Sequence, residues 1–411
     1  MPEPQSPLPE ESRADRAAAL LLGGGLFLLG PVVALAPLGV APLAIATAVL
    51  LGGLHLIRQG AAALPRGWLA GLLALLCLLG GLSLLWTVDR TRTLPAAVHL
   101  AAIALPGLLL VTAAFGTPGR RARAIENAFL AGLGLGLAIT LVQVAIGHSF
   151  GELLGHKPLL NHITPKVVSR PGTVYALAVW PAAIILYRRG LTRAAWLLPL
   201  AYTAVTLPLH HRTSAIAMAA ALLVFAAASA APMLTRRALA GLLVVLFVGA
   251  VPIAEGLSKA GLEDAAWLPS SARHRIEIWQ FTADRVLERP LTGFGLDAAG
   301  SIGNAGRESR FQEPGASIIP LHPHSLFLQV TVELGLPGMV IALGVALGLL
   351  AALGRAAPGP LQRFALAGFA ATWIISALSY GAWQAWWLGA ILLAATALAF
   401  ACREDPPCPS R

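Results

Sequence analysis

The sequence predicts an all-α polytopic membrane protein with about twelve transmembrane helices. Apolar residues make up 57% of the chain and charged residues 12%, whereas a soluble domain carries about 25% charge. Apolar runs long enough to cross a bilayer recur along the whole chain, and about twenty such residues suffice for one crossing. Inside lipid every backbone polar group must be paired within its own segment, and long apolar runs achieve this as helices. The short alternating segments of an outer-membrane barrel do not occur.

The spans follow in order. Residues 1–16 are polar and mix Glu with Arg, unlike a short cationic leader with a small-residue cleavage site, so the first span reads as an uncleaved helix. Twelve spans are expected at 17–35, 38–57, 67–88, 94–115, 124–147, 172–187, 194–209, 213–231, 238–257, 325–353, 362–382 and 384–401. The sixth and seventh are short and call for shielding by neighbours. This divides the chain into nine spans within 1–257, an outward loop subdomain over 258–322, three spans within 323–402 and a tail at 403–411.

Orientation comes from the basic residues. Loops holding Arg13 and Arg16, Arg58 and Arg66, Arg120 to Arg123, Arg188 to Arg193, Arg236 and Arg237, Arg355 and Arg363, and Arg403 and Arg411 carry sixteen basic side chains. The alternate short loops carry six: Arg90, Arg92, Lys157, Lys166, Arg170 and Arg212. The positive-inside rule therefore puts both termini in the cytoplasm and the long loop outside, since long segments translocate regardless of charge. The net charge of +10 is spread over loops, with no block of the kind that binds nucleic acid. Cys77, Cys402 and Cys408 form neither a disulfide framework nor a metal pattern.

Within the long loop, Ile276, Trp279, Ala283, Val286 and Leu287 recur at helical spacing. They predict an amphipathic helix over 271–288 near the membrane surface, ended by Pro290 and the Gly293-Phe294-Gly295 turn. Residues 300–315 are polar and Gly-containing and read as a mobile loop.

The loop closes on His322-Pro323-His324-Ser325, where it meets the tenth span. Pro323 suits entry to a helix and Ser325 suits its cap. The positive end of that helix disfavours imidazolium, and neutral imidazole is what a general base requires. His324 is thus a candidate base, the alternative being an interfacial histidine without a role. His322 is structural or orients a substrate. Arg275 offers a planar fork for phosphate oxygens, or else is a solvated arginine paired with Glu277 or Asp284. Trp279 is an interface anchor or a sugar platform. Arg212, in His210-His211-Arg212 between two apolar spans, is a functional candidate because a charge there is costly; otherwise it snorkels to headgroups. Arg170 is a further candidate cation, with Lys166 and His162 behind it. No Walker loop and no clustered outward carboxylates for a metal are present, so no cofactor or metal is expected. An activated anionic lipid-linked donor fits the arginines.

His324-Ser325, nine residues, and Gly335-Leu336-Pro337-Gly338 resemble the signature of the O-antigen ligase family. Arg275-Ile276-Glu277-Ile278-Trp279 and Glu288-Arg289-Pro290-Leu291-Thr292-Gly293-Phe294-Gly295 are similar to a second stretch of that superfamily, with Arg289 where a histidine is usual. The family commonly places a small polar residue before the arginine matched by Arg212; here it is His211. The resemblance implies a GT-C-like glycosyltransferase at the periplasmic face of the bacterial inner membrane. It implies metal-independent, inverting transfer of a glycan from undecaprenyl pyrophosphate to lipid A–core oligosaccharide. On that model His324 would be the base and Arg212 and Arg275 would hold pyrophosphate; beside them Arg170 is a candidate for the same pyrophosphate, and His322, His211 and Trp279 for contacting or orienting the acceptor. Two rivals within the superfamily are an O-antigen polymerase and a protein O-oligosaccharyltransferase. A rival of another class, a lipid-linked glycan transporter or flippase, would line several spans with polar residues. The spans hold few, notably His55, His99, Glu126 and Glu333.

Overall fold

The computed structural model describes residues 12–117, 121–146, 163–206, 212–357 and 359–403. These residues form fourteen α-helices: α1 Arg13–Leu35, α2 Val40–Gln59, α3 Trp68–Leu82, α4 Arg90–Phe115, α5 Ala122–Ile146, α6 Ile163–Arg188, α7 Thr192–Thr206, α8 Arg212–Ala230, α9 Pro232–Val248, α10 Ala250–Lys259, α11 Ser270–Glu288, α12 Leu326–Ala356, α13 Leu361–Leu378 and α14 Ala385–Cys402. No strand occurs among them. The fold is all-α and polytopic, as the apolar runs require.

The span count differs from the expectation of twelve. Among the described residues nine helices are long and apolar enough to cross a membrane, or ten if α9 and α10 count as one bent span. The ninth expected span, 238–257, is bent by 69° between these two helices, where Gly249 caps both. The short sixth and seventh spans fall on α6 and α7, neither of which is both long and apolar enough to count among the nine. α7 has 15 residues, about 22 Å of helix, well short of the roughly 30 Å apolar core. α6 is long enough, but Pro171–Ile185 is buried on every side. A helix enclosed by protein has no need of a lipid-facing apolar surface.

Close packing replaces hydrophobic drive between helices in lipid. α1 and α5 show how: a side chain at Gly132 would collide with the Phe27 carbonyl, and one at Gly30 with the Gly132 carbonyl. At the end away from His324 the helices are tied electrostatically. Glu126 of α5 accepts from Arg189 Nε and Nη2 at 2.9 and 2.7 Å and from Arg403 Nη2 at 3.0 Å. Glu126 and Arg403 are both buried.

The segment between α10 and α12 has a core of its own. Ile278, Phe281 and Val286 of α11 cluster with Phe294, Ile302, Ile318, Ile319 and with Val332 of α12. The helix expected at 271–288 is therefore present, starting at Ser270, and Ile276, Ala283 and Val286 of its expected apolar face are buried. Leu287, read as part of that face, is exposed, and Ile278 and Phe281 take its place. The stretch 300–315, expected to be mobile, is tied down by polar contacts. Arg310 reaches Asp264 at 2.7 Å, Arg307 reaches Asp284 at 2.6 Å, and Asn304 Nδ2 donates to the Ala316 carbonyl.

The tenth expected span, 325–353, is not one continuous helix. α12 breaks at Gly335, whose φ of 66° and ψ of −168° are non-helical. The break receives the Pro290–Gly295 loop: Leu336 N–H donates to the Pro290 carbonyl, Phe294 N–H to Val332 and Gly295 N–H to Glu333, all at 2.8–2.9 Å. A side chain at Gly335 would strike the Leu291 carbonyl, and one at Gly293 would strike the Glu333 backbone. The two motifs singled out in the sequence thus dock on each other through their main chains.

Candidate functional site

Ser325 caps α12 by accepting from Leu328 N–H at 3.4 Å. The two residues before it turn sharply, leaving His324 with a φ of 53°, a left-handed conformation that is costly for a residue other than glycine. Three contacts hold the turn. Trp279 Nε1–H of α11 donates to the Pro323 carbonyl at 3.0 Å, His324 N–H donates to His322 Nδ1 at 3.2 Å, and His324 Nδ1 lies 3.2 Å from the Ser379 carbonyl. The two imidazoles stand edge to face with centroids 4.3 Å apart.

These bonds fix the tautomers. A carbonyl only accepts, so His324 Nδ1 carries hydrogen and, in the neutral ring, Nε2 carries the lone pair. His322 Nδ1 accepts, so its hydrogen sits on Nε2. Burial pushes the pKa of His322 down to about 3, aided by the charges of Arg275 and Arg92 and by repulsion from any proton gained by His324. Burial likewise lowers that of His324, with Arg275 adding to it and the Ser379 carbonyl opposing it. Both rings are neutral at ordinary pH.

Arg275 faces this pair. It is half-buried and has no hydrogen bond or ion pair with any described residue. The carboxylates that a solvated Arg275 would use are occupied. Glu277 accepts from Ser309 and from the Arg310 N–H, and Asp284 from Gln280 and Arg307. Burial lowers the pKa of Arg275; it is a partly dehydrated cation with its donors unspent.

Arg170 lies 5.5 Å above the Trp386 ring, against which Tyr380 packs edge-on at 4.6 Å. Tyr380 follows Ser379, the carbonyl that holds His324, so Arg170 belongs to the same end of the bundle. Arg212 is exposed at the start of α8 and makes no hydrogen bond or ion pair with a described residue. Phe225 of α8 packs on Phe364 at the start of α13, 4.8 Å away, and the two helices pack along their length. They must therefore run antiparallel, and about 20 Å of helix returns Arg212 to the end where α13 reaches Ser379. Arg212 shares that end without touching the histidines. His211 and His162 lie outside the described residues, as does the Lys166 side chain.

The sequence reading missed what carries the turn. Glu333, fully buried, accepts N–H bonds from Asp297 at 2.8 Å and Ala299 at 3.2 Å, from the Gln329 amide at 3.1 Å and from the Trp383 indole. Gln329 in turn accepts from Ala382 N–H at 2.8 Å. One carboxylate thereby joins α12, the 290s loop and the α13–α14 turn that supplies Ser379. Its signal in the sequence was an acid inside an apolar run, a costly placement that marks a role. Among the described residues no three His, Cys, Asp or Glu side chains converge as metal ligands.

Comparison with known proteins follows the same stretch. Residues 194–343 match the family model described as O-antigen ligase. Proteins of Rickettsia conorii and Rickettsia prowazekii, each named a putative polysaccharide ligase, are 34% and 32% identical to this chain over 120 residues. A Rickettsia bellii protein of the same name is 33% identical over 119 residues. Each match spans 29% of this chain and 29% of the relative. The family stretch takes in Arg212, Arg275, Trp279 and the His322–Ser325 turn and leaves out Arg170 and Ser379. Over residues 194–343, and not beyond them, the chain is similar to the O-antigen ligase family.

Proposed function

We propose that the chain is a glycosyltransferase that ligates O-antigen from undecaprenyl pyrophosphate to a sugar hydroxyl of lipid A–core oligosaccharide, at the periplasmic face of the inner membrane and without a metal. One observation carries the reading. A neutral imidazole is held through Nδ1 with Nε2 left as its basic nitrogen, beside a half-buried arginine that no described acid engages.

In this mechanism His324 Nε2 takes the proton of the acceptor hydroxyl as its oxygen attacks the anomeric carbon. The new glycosidic bond forms as the sugar–phosphate bond breaks, with inversion, and undecaprenyl pyrophosphate leaves. Arg275 binds the departing negative charge where low dielectric makes the interaction strong. Arg170 and Arg212 extend the cationic surface toward the lipid-linked end, and His322, His211 and Trp279 orient the acceptor.

The test is transfer by the purified chain reconstituted with undecaprenyl-pyrophosphate-linked glycan and lipid A–core, with a chelator present. Transfer is expected to persist under chelation. Arg275→Lys is expected to lower donor kcat/KM about ten- to a hundredfold, because Lys keeps the charge but loses the planar fork. Near-normal donor use would remove Arg275 from the site.

The pH profile gives a second check. A base works unprotonated, and burial holds His324 below the 6.5 of an ordinary imidazole. The acid limb of kcat/KM should therefore fall below pH 6.5, with activity unchanged from pH 7 down to that value. A limb at or above 6.5 would contradict a desolvated base.

A further inference from the structure

The end of α12 opposite His324 borders a cavity of about 410 Å³ between α9 and α12. Its mouth carries Arg236 and Arg237 of α9 and Arg355 of α12, and its wall is made by Ala240, Leu347 and Leu350. No described carboxylate lies within ion-pair distance of any of the three arginines. Arg236 is half-buried. Its guanidinium lies against Gly354 of α12 and reaches the Met233 sulfur at 3.1 Å. On its far side α9 exposes Leu234, Leu242, Val245 and Val248, the surface of a helix that faces lipid.

Three guanidinium groups without acids form a site for a doubly shared anionic oxygen cluster. A water-soluble anion would gain nothing from the Leu347–Leu350 wall below them. A molecule with a phosphodiester head and an acyl tail uses both parts, and basic clefts between transmembrane helices suit such headgroups. We infer that this cavity binds one anionic phospholipid, its phosphate held by Arg236, Arg237 and Arg355 and one acyl chain laid along Ala240, Leu347 and Leu350. The site is separate from the histidine turn and does not depend on the proposed transferase activity.

The test uses the full chain in neutral detergent, titrated with phosphatidylglycerol or phosphatidylcholine, with retained lipid counted by native mass spectrometry. One phosphatidylglycerol should be retained in clear preference to phosphatidylcholine. Arg237→Gln/Arg355→Gln should weaken it roughly twenty- to thirtyfold, at about fivefold for each charge removed. Arg193→Gln, an exposed arginine at the same end but outside the cavity, should leave it unchanged. Inorganic phosphate alone should not displace it. Should the double variant fail to fold, Arg237→Gln alone, at an exposed position, should show about fivefold weakening. Equal retention of the two lipids, equal weakening by Arg193→Gln, displacement by phosphate, or full binding by the Arg237 variant would each overturn the assignment.

Discussion

His324→Ala is expected to reduce glycan transfer by about 10²–10⁴-fold, the usual contribution of a positioned general base. The fold should survive. The substitution forfeits one hydrogen bond, to the Ser379 carbonyl, worth roughly 1 kcal/mol. It also places alanine at a φ of 53°, where the side chain is strained. His324→Asn separates chemistry from conformation. Asparagine tolerates the left-handed region better than most residues and can donate to Ser379, yet it takes no proton at working pH. Both variants should lose transfer to a similar degree while binding donor normally. Transfer retained by the asparagine variant would assign His324 to the turn and not to the reaction.

Gly335→Ala is expected to be the most damaging change to the fold near the site. The new methyl meets the Leu291 and Pro290 carbonyls. These are main-chain atoms, so no rotamer change relieves the clash. Positive φ adds about 1–2 kcal/mol and forced overpacking about 1–3 kcal/mol, for a loss of roughly 2–5 kcal/mol. The 290s loop should undock, taking with it the Asp297 and Ala299 bonds to Glu333. Thermal unfolding in detergent reads the loss, and protease cleavage within 290–300 reads the undocking. A variant with unchanged melting and no new cleavage would show that the loop does not depend on the break.

Much of this was legible in the sequence because it is local. α11 was readable from helical spacing and its Pro290 stop, and Ser325 from its place before an apolar run. Arg275 could be singled out, but its freedom could not. Whether Glu277 and Asp284 pair with Arg275 or with the 307–310 segment depends on chain folded back from 33 and 23 residues away. The Ser379 carbonyl is 55 residues from His324, and a main-chain acceptor has no residue type to betray it. The break in α12 sits in a mostly apolar run. Its one local sign was Pro337, which suits the first turn of a helix restarting after Gly335. Leu287 alone of the expected α11 stripe is exposed, because the loop's own core closes on Ile278, Phe281 and Val286 instead.

The Glu126 cluster has a mechanical consequence. Separating it would strand a buried charge, at about 3–5 kcal/mol, whereas parting two apolar helices into lipid forfeits mainly van der Waals contact. Like tongs riveted at the handles, α5, α6 and α14 can splay only at their far tips. Those tips are where Ser379 and Arg170 stand, so any widening of the bundle opens beside the imidazole while the fulcrum holds.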